Sequence, residues 1–423
     1  MEKRNAGLPA ALVKRVTEWS KREGTFLEHD SIRVLVEDEC GIVPELSAPS
    51  GNGWINAHWQ AWFRSNSGRK FSPKDHSSVW GDRITYNLSG NFPCFPGFGI
   101  AQIVDGVSIP AHGWTANSKW FFKSSGVERE SGAAWVVSVM KSPEKTMPLS
   151  FKKTDLVIPG HPVHYAGVTV KNSGAKDISI NAGFHNTVGA PFLQAGCVYS
   201  GAAERWATSP KGIGFESSAR LKLETEFKSL KRAPLKDRGT ADISVVSPPI
   251  GYTDFVMGAI PASCGLGWSA LVNPAIKYAY ICFFPGQGAA SDGDIVLRFN
   301  ALWMQYGGRP PAPWAAFDGG TDLTYCLGTE NVISAIGGGL ETSRRIGEAL
   351  GAPTTVTIPA KGEKTLWYGT LFAPYSGCAL DGGIKSITPG KDRILAEGAV
   401  SAKGKNTVSF KADASFEALK RNH

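Results

Sequence analysis

Three separated segments carry side chains able to move protons. The first contains Phe95-Pro96-Gly97-Phe98-Gly99 and, a dozen residues on, Ala111-His112-Gly113-Trp114, which sets an imidazole just after a glycine-relaxed, aromatic-lined turn. The second follows the apolar run Ile178–Ala182, where His185 opens the polar stretch Asn186-Thr187. In the third, Tyr325-Cys326-Leu327-Gly328-Thr329-Glu330-Asn331, a carboxylate emerges from an apolar strand beside a glycine. Strand-to-loop junctions expose side chains at the open end of a sheet. A carboxylate in a partly dry place there has its proton affinity raised toward the range where a general base works near neutrality. One histidine at such a junction is as often a satisfied structural group as a catalytic one, because its ring nitrogens readily bond carbonyls. Two of them, with a glutamate, favour chemistry.

The remaining candidates are weaker. Asp254 ends the loop Gly251-Tyr252-Thr253-Asp254 and, read alone, is a turn aspartate. Among 13 tryptophans, Trp59, Trp114 and Trp303 fall near the candidate segments and offer flat faces of the kind that hold the C–H side of a sugar ring. His161 and His164 flank Pro162, but no Cys, Asp or Glu cluster supports a metal pair, so no metal is expected. His29, His58, His76 and His423 read as structural or surface groups. There is no G-x-G-x-x-G after a strand, no P-loop and no H-E-x-x-H, so no cofactor is signalled.

The elements that must position these groups are mostly strands. Ile32, Val34 and Val36 alternate with neighbours, as do Leu221, Leu223, Thr225 and Phe227, and short β-rich runs recur at 134–140, 163–170, 178–182, 295–303, 354–358, 365–372 and 408–412. The 49 glycines and 26 prolines fit many turns. Helical spacing appears in Leu8, Leu12, Val16 and Trp19, which predicts an N-terminal helix, and again over Glu341–Leu350. The expectation is an all-β architecture with few helices: a helical extension over 1–30 and one β-sandwich domain over 31–423. The Arg309–Pro313 loop reads as a wall of the site.

Composition narrows the classes. Hydrophobic content of 42% and charged content of 19% describe a folding chain with a sizeable core. The formal charge of +8 is dispersed, with one dense run, Lys228–Arg238, that reads as a solvated loop, so nucleic acid is not an expected partner. Seven cysteines without a C-x-x-C pair read as reduced, and no signal-peptide core follows the first residues. The apolar stretch 268–284 is broken by Asn273, Pro274 and Lys277, which argues against a membrane span. A cytoplasmic location is expected; the oligomeric state is left open.

The segments FPCFPGFG and IPAHGWTANSKW, His185 in GFHNTVGAPF, Glu330 in YCLGTEN, Asp254 in YTD and the late IPAKGEKTLWYGTLF occur in an order that resembles the aldose 1-epimerase (galactose mutarotase-like) superfamily, especially its glucose-6-phosphate 1-epimerase-like branch. The resemblance implies a β-supersandwich, a small-molecule sugar or sugar derivative as ligand, and cofactor-independent exchange of sugar anomers. It implies His185 as general acid, Glu330 as general base and His112 assisting, with Arg83 touching sugar hydroxyls or phosphate and Asp254 also in the site. Where the phosphate-using branch places an arginine three residues after the histidine-glycine pair, this chain has Ala116. Two other readings fit the residues: a non-catalytic carbohydrate-binding protein, and a carbohydrate lyase or hydrolase in which Asp254 pairs with Glu330.

Overall fold

A computed structural model describes residues 11–19, 22–64, 83–399 and 406–423. Two large antiparallel sheets dominate. One has eight strands, in the order Val198–Gly201, Leu266–Asn273, Tyr278–Pro285, Glu363–Pro374, Val163–Asn172, Leu149–Val157, Ala134–Lys141 and Phe121–Val127. The other has seven, in the order Glu226–Phe227, Arg205–Thr208, Tyr252–Ala259, Phe299–Tyr306, Tyr325–Ile333, Ala182–Val188 and Asn91–Cys94. Their central strands are buried along nearly their whole length, which is why they read as continuous apolar runs, without clean alternation. A five-stranded sheet over Leu12–Asn56, a three-stranded sheet over Ile384–Lys411 and several two-stranded ribbons are added to them.

A hydrogen-bonded bridge crosses the core between the two large sheets. Asn186 Nδ2 donates to Tyr368 Oη at 2.6 Å, Tyr368 Oη donates to Asn331 Oδ1, and Ser269 Oγ donates to the same oxygen at 3.2 Å. Asn186, Asn331 and Tyr368 are fully buried. Unpaired polar groups in such a place are destabilising, so the bridge fixes the spacing of the strands that carry its two asparagines.

Two expectations change. The N-terminal helix is not formed over its described part: Leu12–Trp19 is a strand, paired antiparallel with Arg22–His29. The β-branched Val13, Val16 and Thr17 suit a pleated strand better than a helix, and the adjacent hairpin partner decides the matter. Leu8 lies outside the described residues, as does His76. The alternating run 220–227 forms only an isolated bridge at Leu221 and the short strand Glu226–Phe227. Among the described residues the α-helices are Arg83–Asn87, Gly339–Ile346 and Glu417–Asn422. None is long and apolar enough to cross a membrane.

Candidate active site

His185 and Glu330 meet because their strands pair. Cross-strand partners run Ala182↔Ile333, Gly183↔Val332 and Phe184↔Asn331 and resume at Thr187↔Gly328. The same register brings His185 opposite Glu330, on the face away from Asn186 and Asn331. His185 Nε2 lies 3.1 Å from Glu330 Oε1, and both side chains are buried. On the other side His185 is cross-strand partner to Phe92, whose ring stacks on the imidazole at 4.7 Å. Gly328 gives the carboxyl its room: a Cβ there would stand 2.7 Å from Glu330 Oε1 and 3.0 Å from Trp303 Cβ.

His112 joins them from a loop. Its φ of 61° places it in the left-handed region, which histidine tolerates better than most residues, and its N–H donates to Gly99 O at 3.0 Å. Gly113 follows with φ 80° against Phe95 O, an approach that leaves no space for a Cβ. The turn aims the His112 ring edge-on at His185, 4.8 Å between centroids.

These groups line a small cleft of about 200 Å³. Its walls are mainly aromatic and aliphatic: Phe98, Phe215, Phe255, Trp303 and Trp314, with Ile84 from the helix Arg83–Asn87 and Leu88 just after it. Three buried polar atoms on its lining residues have no partner among the described residues: Glu330 Oε2, His112 Nδ1 and Trp303 Nε1.

Burial governs the proton affinities. It lifts Glu330 to about 8, lowers His112 to about 4, and holds His185 well below the usual histidine range, with the neighbouring His112 adding to the effect. No lysine or arginine forms an ion pair with Glu330 among the described residues. Both directions favour carboxylic acid plus neutral imidazole over carboxylate plus imidazolium. A consistent tautomer follows: Glu330 Oε1–H donates to His185 Nε2, and His185 Nδ1–H donates to Thr187 Oγ1 at 3.0 Å.

Of the other sequence candidates, Trp303 lines the cleft, edge-on to His185 at 5.7 Å. Trp59 packs behind it at 6.4 Å and faces a neighbouring groove instead. Trp114 is core, its Nε1–H donating to Ser108 O at 3.1 Å. Arg83 is committed to an ion pair with Glu39 and does not line the cleft. Asp254 is turned away as well. Its neighbour Phe255 pairs with Trp303 on the cleft face, so alternation sends Asp254 to the opposite side. There it accepts from the N–H groups of Arg220 and Leu221, both at 3.0 Å, and from Arg220 Nε at 3.1 Å. Glu330 is thus the one carboxyl lining the cleft among the described residues, and the paired-carboxylate chemistry of a hydrolase lacks its second member.

His161 and His164 are structural. The first bonds Tyr165 Oη at 2.8 Å, and the second bonds the buried Asp155 at 2.9 Å beside Lys153. No cluster of three potential metal ligands occurs among the described residues.

The overall arrangement has solved counterparts. A galactose mutarotase-like protein from Clostridium acetobutylicum superposes with a TM-score of 0.58 at 10% identity, covering 86% of this chain and 99% of that one. The chain has the galactose mutarotase-like fold. A candidate aldose 1-epimerase from Klebsiella pneumoniae gives a TM-score of 0.58 at 11% identity, over 86% of this chain and 88% of that one. The Slr1438 protein from Synechocystis sp. gives 0.54 at 11% identity, over 89% of this chain and the whole of the other. No protein-family model matches the sequence, and no curated protein does.

Sequence reasoning passed over two contributors to this cleft. Phe215 comes from a loop that shows no periodicity, and Trp314 follows the Arg309–Pro313 loop. Arg309, in the loop expected to wall the site, does line the cleft. Its guanidinium lies 4.9 Å from the Phe215 ring centre and 4.5 Å from that of Trp314. The Pro-rich context after Gly307-Gly308 was the available signal.

Proposed function

We propose that the protein interconverts the α and β anomers of a sugar, without a cofactor, by opening and reclosing the ring under general acid/base control. The observation that carries this reading is the direct 3.1 Å contact between a buried imidazole and a buried carboxyl in a cleft of this fold. Together they hold one transferable proton, which is what ring opening needs: an acid for the ring oxygen and a base for the anomeric hydroxyl.

With the proton resting on Glu330, the roles are the reverse of those the family resemblance implies, His185 as acid and Glu330 as base. Glu330 protonates the ring oxygen as the bond from C1 to that oxygen breaks, and His185 accepts the anomeric hydroxyl proton as the aldehyde forms. Rotation about C1–C2 presents the other carbonyl face. On reclosure the ring hydroxyl returns its proton to Glu330 and His185 returns its own to the new anomeric oxygen. Each transfer contributes on the order of 10²–10⁴-fold. His112 packs against His185 and offers Nδ1 to a sugar hydroxyl, while Trp303 offers an N–H and an apolar edge.

Polarimetry on freshly dissolved pure anomers of a panel of aldoses, uronates and sugar phosphates tests the reading. At least one should equilibrate faster with the protein, and Glu330→Gln should lose that acceleration while still binding the sugar. A wild-type protein that binds a sugar and leaves its mutarotation rate untouched is a binding protein instead.

A further inference from the structure

Arg309 is the one cation lining the cleft among the described residues, the two histidines there being kept neutral by burial. It follows Gly307 and Gly308, whose φ values of 84° and 91° lie in the left-handed region. Its backbone N–H donates to Asp322 Oδ2 at 3.0 Å, and the same oxygen accepts from Gln305 Nε2 at 2.5 Å. Asp322 therefore holds the loop, and it forms no ion pair with the guanidinium. The guanidinium stands close to Phe215 and Trp314 and has neither an ion pair nor a side-chain hydrogen bond among the described residues. Burial draws its proton affinity down to about 10, and the nearby Asp322 charge offsets that only in part. Aromatic contact occupies the flat faces of a guanidinium and leaves the N–H edge for a ligand.

We propose that Arg309 is a specificity residue that receives the carboxylate of a sugar acid, a hexuronate-type ligand whose anomeric centre lies at His185 and Glu330. The proposal rests on the reading of the cleft as an anomer-exchanging site and adds the substrate class. A planar carboxylate matches the two parallel N–H groups of a guanidinium edge. Charge decides between anions. A carboxylate brings a single negative charge that one arginine neutralises. A phosphate monoester brings roughly −1.5 to −2 near neutrality and would leave charge uncompensated in the dry cleft that already keeps Glu330 protonated.

The test is a calorimetric titration of the full chain with glucuronate, galacturonate, the matching neutral aldoses and their 6-phosphates, repeated with Arg309→Gln and Arg309→Lys. Wild type should bind one hexuronate at least about 10-fold more tightly than its neutral aldose, the scale of a charge-assisted hydrogen bond. That ratio should fall to near one in Arg309→Gln and recover only in part in Arg309→Lys, which restores charge without the fork. Equal ratios in wild type and Arg309→Gln, or preference for the 6-phosphate, overturn the proposal. The unfolding midpoints of the unliganded variants show whether a lost ratio reflects a lost fold; should Arg309→Gln fail to fold, the wild-type preference and the Arg309→Lys ratio decide. Binding is read separately from catalysis. Arg309-dependent uronate binding without accelerated anomer exchange sinks the enzyme reading alone, and exchange without uronate preference sinks this proposal alone.

Discussion

Replacing Glu330 by glutamine separates two consequences of burying this carboxyl: a proton-transfer group is lost, and so is a pH-dependent load on the fold. Burial lifts the folded-state pKa from 4.5 to about 8. Between those values the unfolded chain ionises residue 330 and the folded chain does not, so the unfolded state gains about 1.4 kcal/mol for each pH unit above 4.5. At pH 7 that amounts to about 3 kcal/mol against folding. The sign follows from the raised folded value: the stability is fully present below 4.5 and is lost as pH rises toward 8. Glutamine does not ionise, and its amide N–H can donate to His185 Nε2 as the carboxylic acid does. The pH dependence contributed by His185 is largely common to both proteins and drops out of the difference. Glu330→Gln should therefore match wild type near pH 4.5 and exceed it by about 3 kcal/mol at pH 7, read from urea midpoints at unchanged m. Parallel stability curves for the two proteins between pH 5 and pH 8 would mean that Glu330 is ionised in the fold, and the neutral-pair description would be wrong.

Three further outcomes are expected. Anomer exchange should decline as pH rises through about 8, where the His185–Glu330 pair loses its one proton; a rate that stays flat from pH 7 to pH 10 contradicts the assignment. Gly328→Ala places a Cβ 2.7 Å from Glu330 Oε1 and should lower the exchange rate by about 10²-fold by displacing the carboxyl, with near-wild-type kinetics as the contrary result. Tyr368→Phe removes the hub of the inter-sheet bridge and leaves Asn186 and Asn331 short of a partner; a loss of about 2–4 kcal/mol is expected in chemical denaturation, and a loss below about 1 kcal/mol means the bridge is not formed.

The part of the site legible in the sequence is the part written in local contrast. His112, His185 and Glu330 each stand where an apolar run meets glycine or polar residues, and the structure brings all three to one cleft. What pairing decides was not legible. Asp254 and Phe255 are neighbours, and only the register with the Phe299–Tyr306 strand tells which of them faces the cleft. Arg83 is neutralised by Glu39, 44 residues earlier, and Arg309 is flanked by Phe215, far back in the chain. No spacing rule connects such pairs. The N-terminal segment shows the same limit from the other side: apolar residues at helical spacing also occur in a strand, and the Arg22–His29 partner settles which forms. The interior bridge through Tyr368 was invisible for a related reason, since its polar atoms lie in segments that otherwise read as uninterrupted core.

The central claim is that His185 and Glu330 move protons between oxygen atoms of a sugar and leave its carbon-bound hydrogens alone. Exchange spectroscopy of the anomeric NMR signals in D₂O measures both halves at once. Saturation transfer between the α and β signals is expected with wild type, none above background with Glu330→Gln, and no deuterium at C1 or C2. Deuterium entering at carbon, or wild type without transfer on any sugar it binds, would contradict the claim.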